Sequence, residues 1–244
     1  MKTQKAIQTI DLTKRFGETT AVLDLNLTVE QGELFALLGM NGAGKTTTIK
    51  ILACLSKPTS GDAILLGDSV LKHPARVKQR INISPQETAV APNLTVLENL
   101  QLIARIYQRS ATHTVEQANT MIEKLGLHAV ANKRAGKLSG GWQRRLSIAM
   151  ALISSPQILF LDEPTLGLDV IARRELWGII RDLKGDVTII LTSHYLEEVE
   201  ALSDRVAVLA DGRLKAVGTV PELISHTSTS NFEDAFITLA GVMQ

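Results

Sequence analysis

Leu34-Phe35-Ala36-Leu37-Leu38-Gly39-Met40-Asn41-Gly42-Ala43-Gly44-Lys45-Thr46 joins an apolar run to a glycine-rich turn and the start of a helix-like stretch. The apolar run reads as a buried strand, and the residues after it fit the pattern G-x-x-x-x-G-K-[ST] in the order a phosphate-binding loop needs. Small residues at Gly42, Ala43 and Gly44 let backbone N–H groups approach a phosphate chain closely, and the following helix turns its positive end to the same anion. Lys45 is placed to reach the outer phosphates, and the Thr46 hydroxyl to take one position on a magnesium ion. The loop implies a nucleoside triphosphate as ligand and leaves open what its energy drives.

The composition sets limits around that loop. The chain has 244 residues, 45% of them hydrophobic, long enough for one large domain or for a core with an inserted subdomain. Its net charge of +1 and its lack of any Lys/Arg block give no electrostatic case for a nucleic-acid partner. The single cysteine, Cys54, excludes an intramolecular disulfide; its place in the apolar, helix-like run Ile49 to Leu55 predicts a buried thiol in a reducing compartment. The N-terminus MKTQKAIQTIDL lacks the apolar stretch of a secretory signal, and no run of about 18 apolar residues occurs, so a cytoplasmic chain that does not itself cross a membrane is expected.

Periodicity divides the chain further. Leu23, Leu25, Leu27 and Val29 alternate with polar residues as in a half-buried strand; with Ile10 to Phe16 and Ala63 to Leu66 they predict a small antiparallel sheet beside the loop. From about Thr95 to Ile153 the pattern is helical, with Val115, Ala118, Ile122 and Leu125 as one apolar face and Gly126 as a helix stop. Strand-like runs return at Ile158–Leu161 and Val187–Leu191 around a helix bearing Leu176, Ile179, Ile180 and Leu183, an order that implies a parallel sheet. Asp211-Gly212 predicts a two-residue hairpin turn, and Phe232, Phe236 and Leu239 predict a short amphipathic helix after a polar connector at 226–230.

Two later stretches carry chemistry. Ile158-Leu159-Phe160-Leu161-Asp162-Glu163 puts two carboxylates at the end of an apolar strand, where ligands collect in open parallel sheets. Asp162 can hold magnesium, and Glu163 can polarise the water that attacks a terminal phosphate. In Leu138-Ser139-Gly140-Gly141-Trp142-Gln143, Ser139 can cap a helix whose first N–H groups the glycines leave uncovered, which makes a second anion site.

Taken in order, GMNGAGKTT at 39–47, Pro85-Gln86, LSGGW at 138–142, ILFLDEP at 158–164, Gly167-Leu168-Asp169 and Thr192-Ser193-His194 resemble the nucleotide-binding subunit of ATP-binding cassette (ABC) transporters along nearly the whole chain. The resemblance implies an α/β P-loop NTPase fold: a RecA-like parallel-sheet core, an antiparallel β subdomain and an inserted helical subdomain. One ABC ATPase domain would span 1–244, with 1–87 and 155–220 as catalytic core and β subdomain. Residues 88–154 would form the helical insert and 221–244 a tail helix.

By the same resemblance, two subunits, identical or paralogous, pair head to tail around two ATP molecules. Gly39, Asn41, Gly42, Ala43, Gly44, Lys45, Thr46 and Thr47 would bind one ATP, with Thr46, Gln86 and Asp162 around its Mg2+. Ser139, Gly140 and Gly141 would contact the γ-phosphate held by the partner, and Asp169 would couple the two sites. Glu163 would be the general base, with His194, Gln86 and Lys45 completing the catalytic set, and Phe16 would stack on adenine. Trp142 stands where the family most often has Gln, so that side chain's contacts do not carry over. Met40 replaces a frequent Pro at a variable loop position. The run Thr188 to Val217 and the tail NFEDAFITLAG resemble the ATPases of ABC-2-type exporters. The implied protein is an ATP hydrolase peripheral on the inner face of the cell membrane, working with a separate transmembrane permease. A soluble ABC ATPase acting on ribosomes or DNA is the other class, disfavoured by the single cassette and by the lack of a heptad arm or a Cys pair.

Overall fold

A computed structural model describes residues 4–107 and 111–241. The first half runs β1 (Lys5–Phe16), β2 (Thr19–Leu25), β3 (Thr28–Glu30), β4 (Leu34–Leu38), α1 (Lys45–Leu52), β5 (Ser60–Leu65), β6 (Asp68–Ser69), α2 (Pro74–Lys78) and β7 (Ile81–Ser84). Three helices follow, α3 (Val96–Ile106), α4 (Ala111–Lys124) and α5 (Gly140–Leu152). The chain then returns through β8 (Ile158–Asp162), α6 (Val170–Asp182), β9 (Thr188–Ser193), α7 (Leu196–Leu202), β10 (Arg205–Ala210), β11 (Arg213–Gly218), α8 (Val220–Thr227) and α9 (Phe232–Ala240).

A six-stranded sheet has the order β11-β10-β4-β9-β8-β7, parallel throughout except for the β10–β11 hairpin. Central β4 is fully buried because both of its faces are covered, as expected of a parallel strand. Phe35 and Leu37 pack with Ile49, Ile51 and Leu52 of α1, while Ala36 and Leu38 pack with Val199, Leu223 and Phe232 of the C-terminal helices. A second, antiparallel sheet is built on β1, which pairs with β2, β3 and β5. The apolar residues of α3, α4 and α5 join Leu159 and Leu161 of β8, Ile189 and Leu191 of β9, and Leu176 and Ile180 of α6 in one cluster.

Several sequence expectations change in the structure. The alternating run Leu23 to Val29 is two strands, because Asn26 turns the chain: its amide donates to Asp24 O and Asp11 Oδ1, and its Oδ1 accepts from Asp11 N, where β1 itself bends at a left-handed Asp11 (φ 44°). Val115 is exposed; the buried face of α4 runs through Thr114, Ala118 and Ile122. Cys54 lies beyond the end of α1, half-buried and in a left-handed turn at φ 56°. The expected single tail helix is two, and α8 occupies part of the expected polar connector. The Asp211-Gly212 hairpin stands, both residues at positive φ (52° and 71°), and Gly212 O accepts Leu23 N from the other sheet.

The entry to α3 is closed by a Thr95–Glu98 capping box and braced by one buried side chain. Asn99 accepts from Ala91 N and donates to the carbonyls of Ala91, Leu94 and Thr95 at 2.9 to 3.3 Å. Asn99→Ala leaves the Ala91 N–H without its partner, while the Ala91, Leu94 and Thr95 carbonyls each keep a backbone donor, so equilibrium denaturation should show a loss of about 1 to 3 kcal/mol; an unchanged midpoint would contradict this account of the loop.

Candidate active site

Because β4, β7, β8 and β9 are parallel, their C-terminal ends lie on one edge, and the loops leaving them meet there. They enclose an open cleft of about 630 Å³ lined by Phe16, Asn41 to Thr47, Gln86, Glu163 and His194. Gly39, which precedes the lining residues, packs where a Cβ would stand 2.5 Å from Leu209 O.

The loop's shape depends on Gly44. Its φ is 100°, and a Cβ there would lie 2.4 Å from Ala21 O, so no side chain fits. Gly44 is also the N-cap of α1 and provides no side-chain cap, which leaves the first N–H groups of the helix to a ligand. Lys45 is buried, and its Nζ donates to Gly39 O at 2.7 Å and Met40 O at 3.1 Å. An ammonium has three donors, so one remains for a phosphate. Burial pushes the Lys45 pKa down, against the pull of Glu163 and Asp162; a bound polyanion would favour the charged form further.

Asp162, buried at the end of β8, accepts from Thr192 Oγ1 at 2.6 Å and from Thr46 Oγ1 at 3.3 Å. Carboxylate and hydroxyl oxygens are the hard donors that magnesium takes, so Thr46 and Asp162 fit that ion. The next residue, Glu163, sits in the left-handed region at φ 47°, an unfavourable conformation for a non-glycine residue and one that clusters at functional sites. Thr192 holds it there: Glu163 N donates to Thr192 Oγ1 at 2.9 Å and Thr192 O at 3.2 Å. The turn aims the Glu163 carboxylate into the cleft, with Oε1 3.4 Å from His194 Nδ1.

The remaining expected site residues lie elsewhere. Ser139, Gly141 and Asp169 line a separate surface pocket with Trp142, Arg145 and Glu175, and none of them lines the cleft. Gly140 opens α5 beside Leu168. Ser139 occupies the N-cap position of α5, but its side chain makes no capping bond, contrary to the sequence expectation. Asp169 caps α6, accepting from Ala172 N at 2.9 Å. Trp142 lies under Arg145, whose guanidinium is 4.7 Å from the ring centroid and pairs with Glu175. Phe16 is 55% exposed at the cleft rim, with Lys14 Nζ over its ring, so it is not a core residue.

Sequence reasoning missed two residues that shape the site. Thr192 stood within a quoted motif without a role, and Arg144, buried in α5, reaches the backbone of the segments around Gln86 and Glu163. A charged residue one turn into a helix that follows a glycine-rich cap was the available signal for Arg144.

A family model described as "ABC transporter" matches residues 22–166. The chain is 41% identical over 233 residues to the daunorubicin/doxorubicin resistance ATP-binding protein DrrA of Streptomyces peucetius, covering 94% of this chain and 71% of that one. To the Nod factor export ATP-binding protein I of Burkholderia lata it is 42% identical over 212 residues, 86% of this chain and 70% of that one. A solved dimeric ATP-binding cassette in a post-hydrolysis state, bound to ADP and Pi, superposes with a TM-score of 0.78 at 26% identity, over 87% of this chain and 98% of that one.

Proposed function

The chain belongs to the ABC transporter family, and from that premise we propose that it pairs head to tail with a second cassette, clamps two ATP molecules and powers export through a separate membrane subunit. The observation that carries this reading is the division of the expected nucleotide contacts. One set faces the cleft and the other, Ser139, Gly141 and Asp169, faces a different pocket of the same chain. A head-to-tail partner would bring the second set over the first set's nucleotide. The likeness to a dimeric cassette holding ADP and Pi supports that arrangement.

In this reading Gly39 to Thr47 wrap the phosphates of ATP and Phe16 stacks on the base. Thr46, Asp162 and Gln86 would hold Mg2+, which when bound would neutralise charge on the triphosphate. Glu163 takes a proton from the attacking water as its oxygen bonds to the γ-phosphorus, and the bond to ADP breaks to release phosphate. His194, beside Glu163, bridges that carboxylate and the γ-phosphate. Lys45 and the partner's α5 N-terminus offset the charge that develops.

Among the described residues no helix is long and apolar enough to cross a membrane; in the proposed reading the translocation path belongs to a membrane subunit and this chain works on the inner face, as the likeness to export ATP-binding proteins supports. Purification from detergent-solubilised membranes tests that assignment. A stoichiometric membrane protein should accompany the chain and stimulate its ATPase; recovery only with ribosomes would refute it.

A further inference from the structure

The contacts of Arg144 link the two halves of the proposed site. It stands one turn into α5, the helix opened by Gly140 and Gly141, and its side chain is buried. Nη1 donates to Pro85 O at 2.6 Å, and Nη2 donates to Gln86 O at 2.6 Å and, more weakly, to Glu163 O at 3.5 Å. These carbonyls belong to two separate segments, one leaving β7 and one leaving β8, and both segments line the cleft. One turn further along α5, Ser147 Oγ lies 2.9 Å from Ser84 Oγ at the end of β7, so the helix and the strand are tied twice.

We propose that Arg144 is a positioning residue that sets the backbone of Gln86 and Glu163 according to the position of the α5 N-terminus. The proposal rests on the reading that the cleft hydrolyses ATP and that Ser139 to Gly141 engage the partner's nucleotide. Glu163 is held in its left-handed conformation from both sides, by Thr192 at its N–H and by Arg144 at its carbonyl. A displacement of α5 that follows docking of the partner's γ-phosphate at Ser139 is carried by the rigid guanidinium to the segments that place the base and Gln86. Burying a cation in this way is costly unless its donors are satisfied, and here the site-forming carbonyls of Pro85, Gln86 and Glu163 accept from it.

Arg144→Lys tests the proposal, because it keeps the charge but loses the planar fork that reaches two carbonyls at once. Turnover of the purified protein should fall on the order of 10- to 100-fold, the scale that a small misplacement of a catalytic group costs. The Kd for ATP should stay within about twofold, a kcat-specific loss. The double variant with Gln86→Ala should be no slower than the slower single variant by more than about twofold, since coupled residues do not add. Turnover of Arg144→Lys within about twofold of wild type, or fully multiplicative losses, would overturn the proposal. Should Arg144→Lys fail to fold, amide hydrogen exchange decides in Glu163→Gln protein with ATP. The amides of Gln86 and Glu87 should gain protection that a further Ser139→Arg removes; equal protection with and without Ser139→Arg overturns the link. If the wild-type chain shows no Mg-ATP hydrolysis even with its membrane subunit, the underlying reading fails instead.

Discussion

Glu163→Gln lowers ATP turnover on the order of 10²- to 10⁴-fold, the usual range for removing a general base, while ATP affinity stays within about twofold. Glutamine keeps the size of the side chain and its backbone contacts to Thr192, so the left-handed turn at φ 47° survives. What is lost is the ability to accept a proton from water at the γ-phosphate. Binding of the triphosphate depends on the loop and α1, which the substitution does not touch. The closed, ATP-bound dimer therefore accumulates, because the step that would reopen it is blocked. Rapid-quench hydrolysis and equilibrium nucleotide binding measured on the same preparation separate the two effects. Near-normal turnover would remove Glu163 from the role of base.

Lys45→Ala has the opposite signature. Its ammonium closes the loop on Gly39 O and Met40 O and keeps one donor for phosphate. A hydrogen bond to a charged group contributes about 1.5 to 3 kcal/mol, so binding should weaken about 10- to 100-fold at roughly 1.4 kcal/mol per decade. The loss is expected in Kd, and turnover falls with it because the phosphates are no longer anchored. Titration with a fluorescent ATP analogue checks this; an unchanged Kd would contradict the assignment of Lys45 to the phosphates. The pair of variants thus divides binding from chemistry within one cleft.

Much of the site was legible because its parts are local. Strand, loop and helix at 34–52 lie within a few turns of chain, and the glycine spacing states the turn directly. Asp162-Glu163 at a strand end and Asp211-Gly212 between two strands are local in the same way. What the sequence hid depends on contacts between distant residues. Arg144 meets Pro85 across 59 positions and Thr192 meets Asp162 across 30, and neither separation leaves a periodic trace. The break inside Leu23 to Val29 comes from Asn26 bonding to Asp11 in β1, so the alternation alone reads through it. Ser139 shows a different failure: the residue type and position suit a cap, yet the side chain makes no capping bond.

The most direct test of the composite site is the mass of Glu163→Gln protein in ATP, with and without Ser139→Arg, followed by sedimentation. Ser139 is exposed and caps nothing, so the fold and ATP binding at the chain's own loop should survive the change. Glu163→Gln alone should sediment as a dimer with one ATP per chain. Adding Ser139→Arg should return it to a monomer that still binds ATP. An ATP-bound monomer in the first case, or an equally stable dimer in the second, would contradict a site shared between two chains.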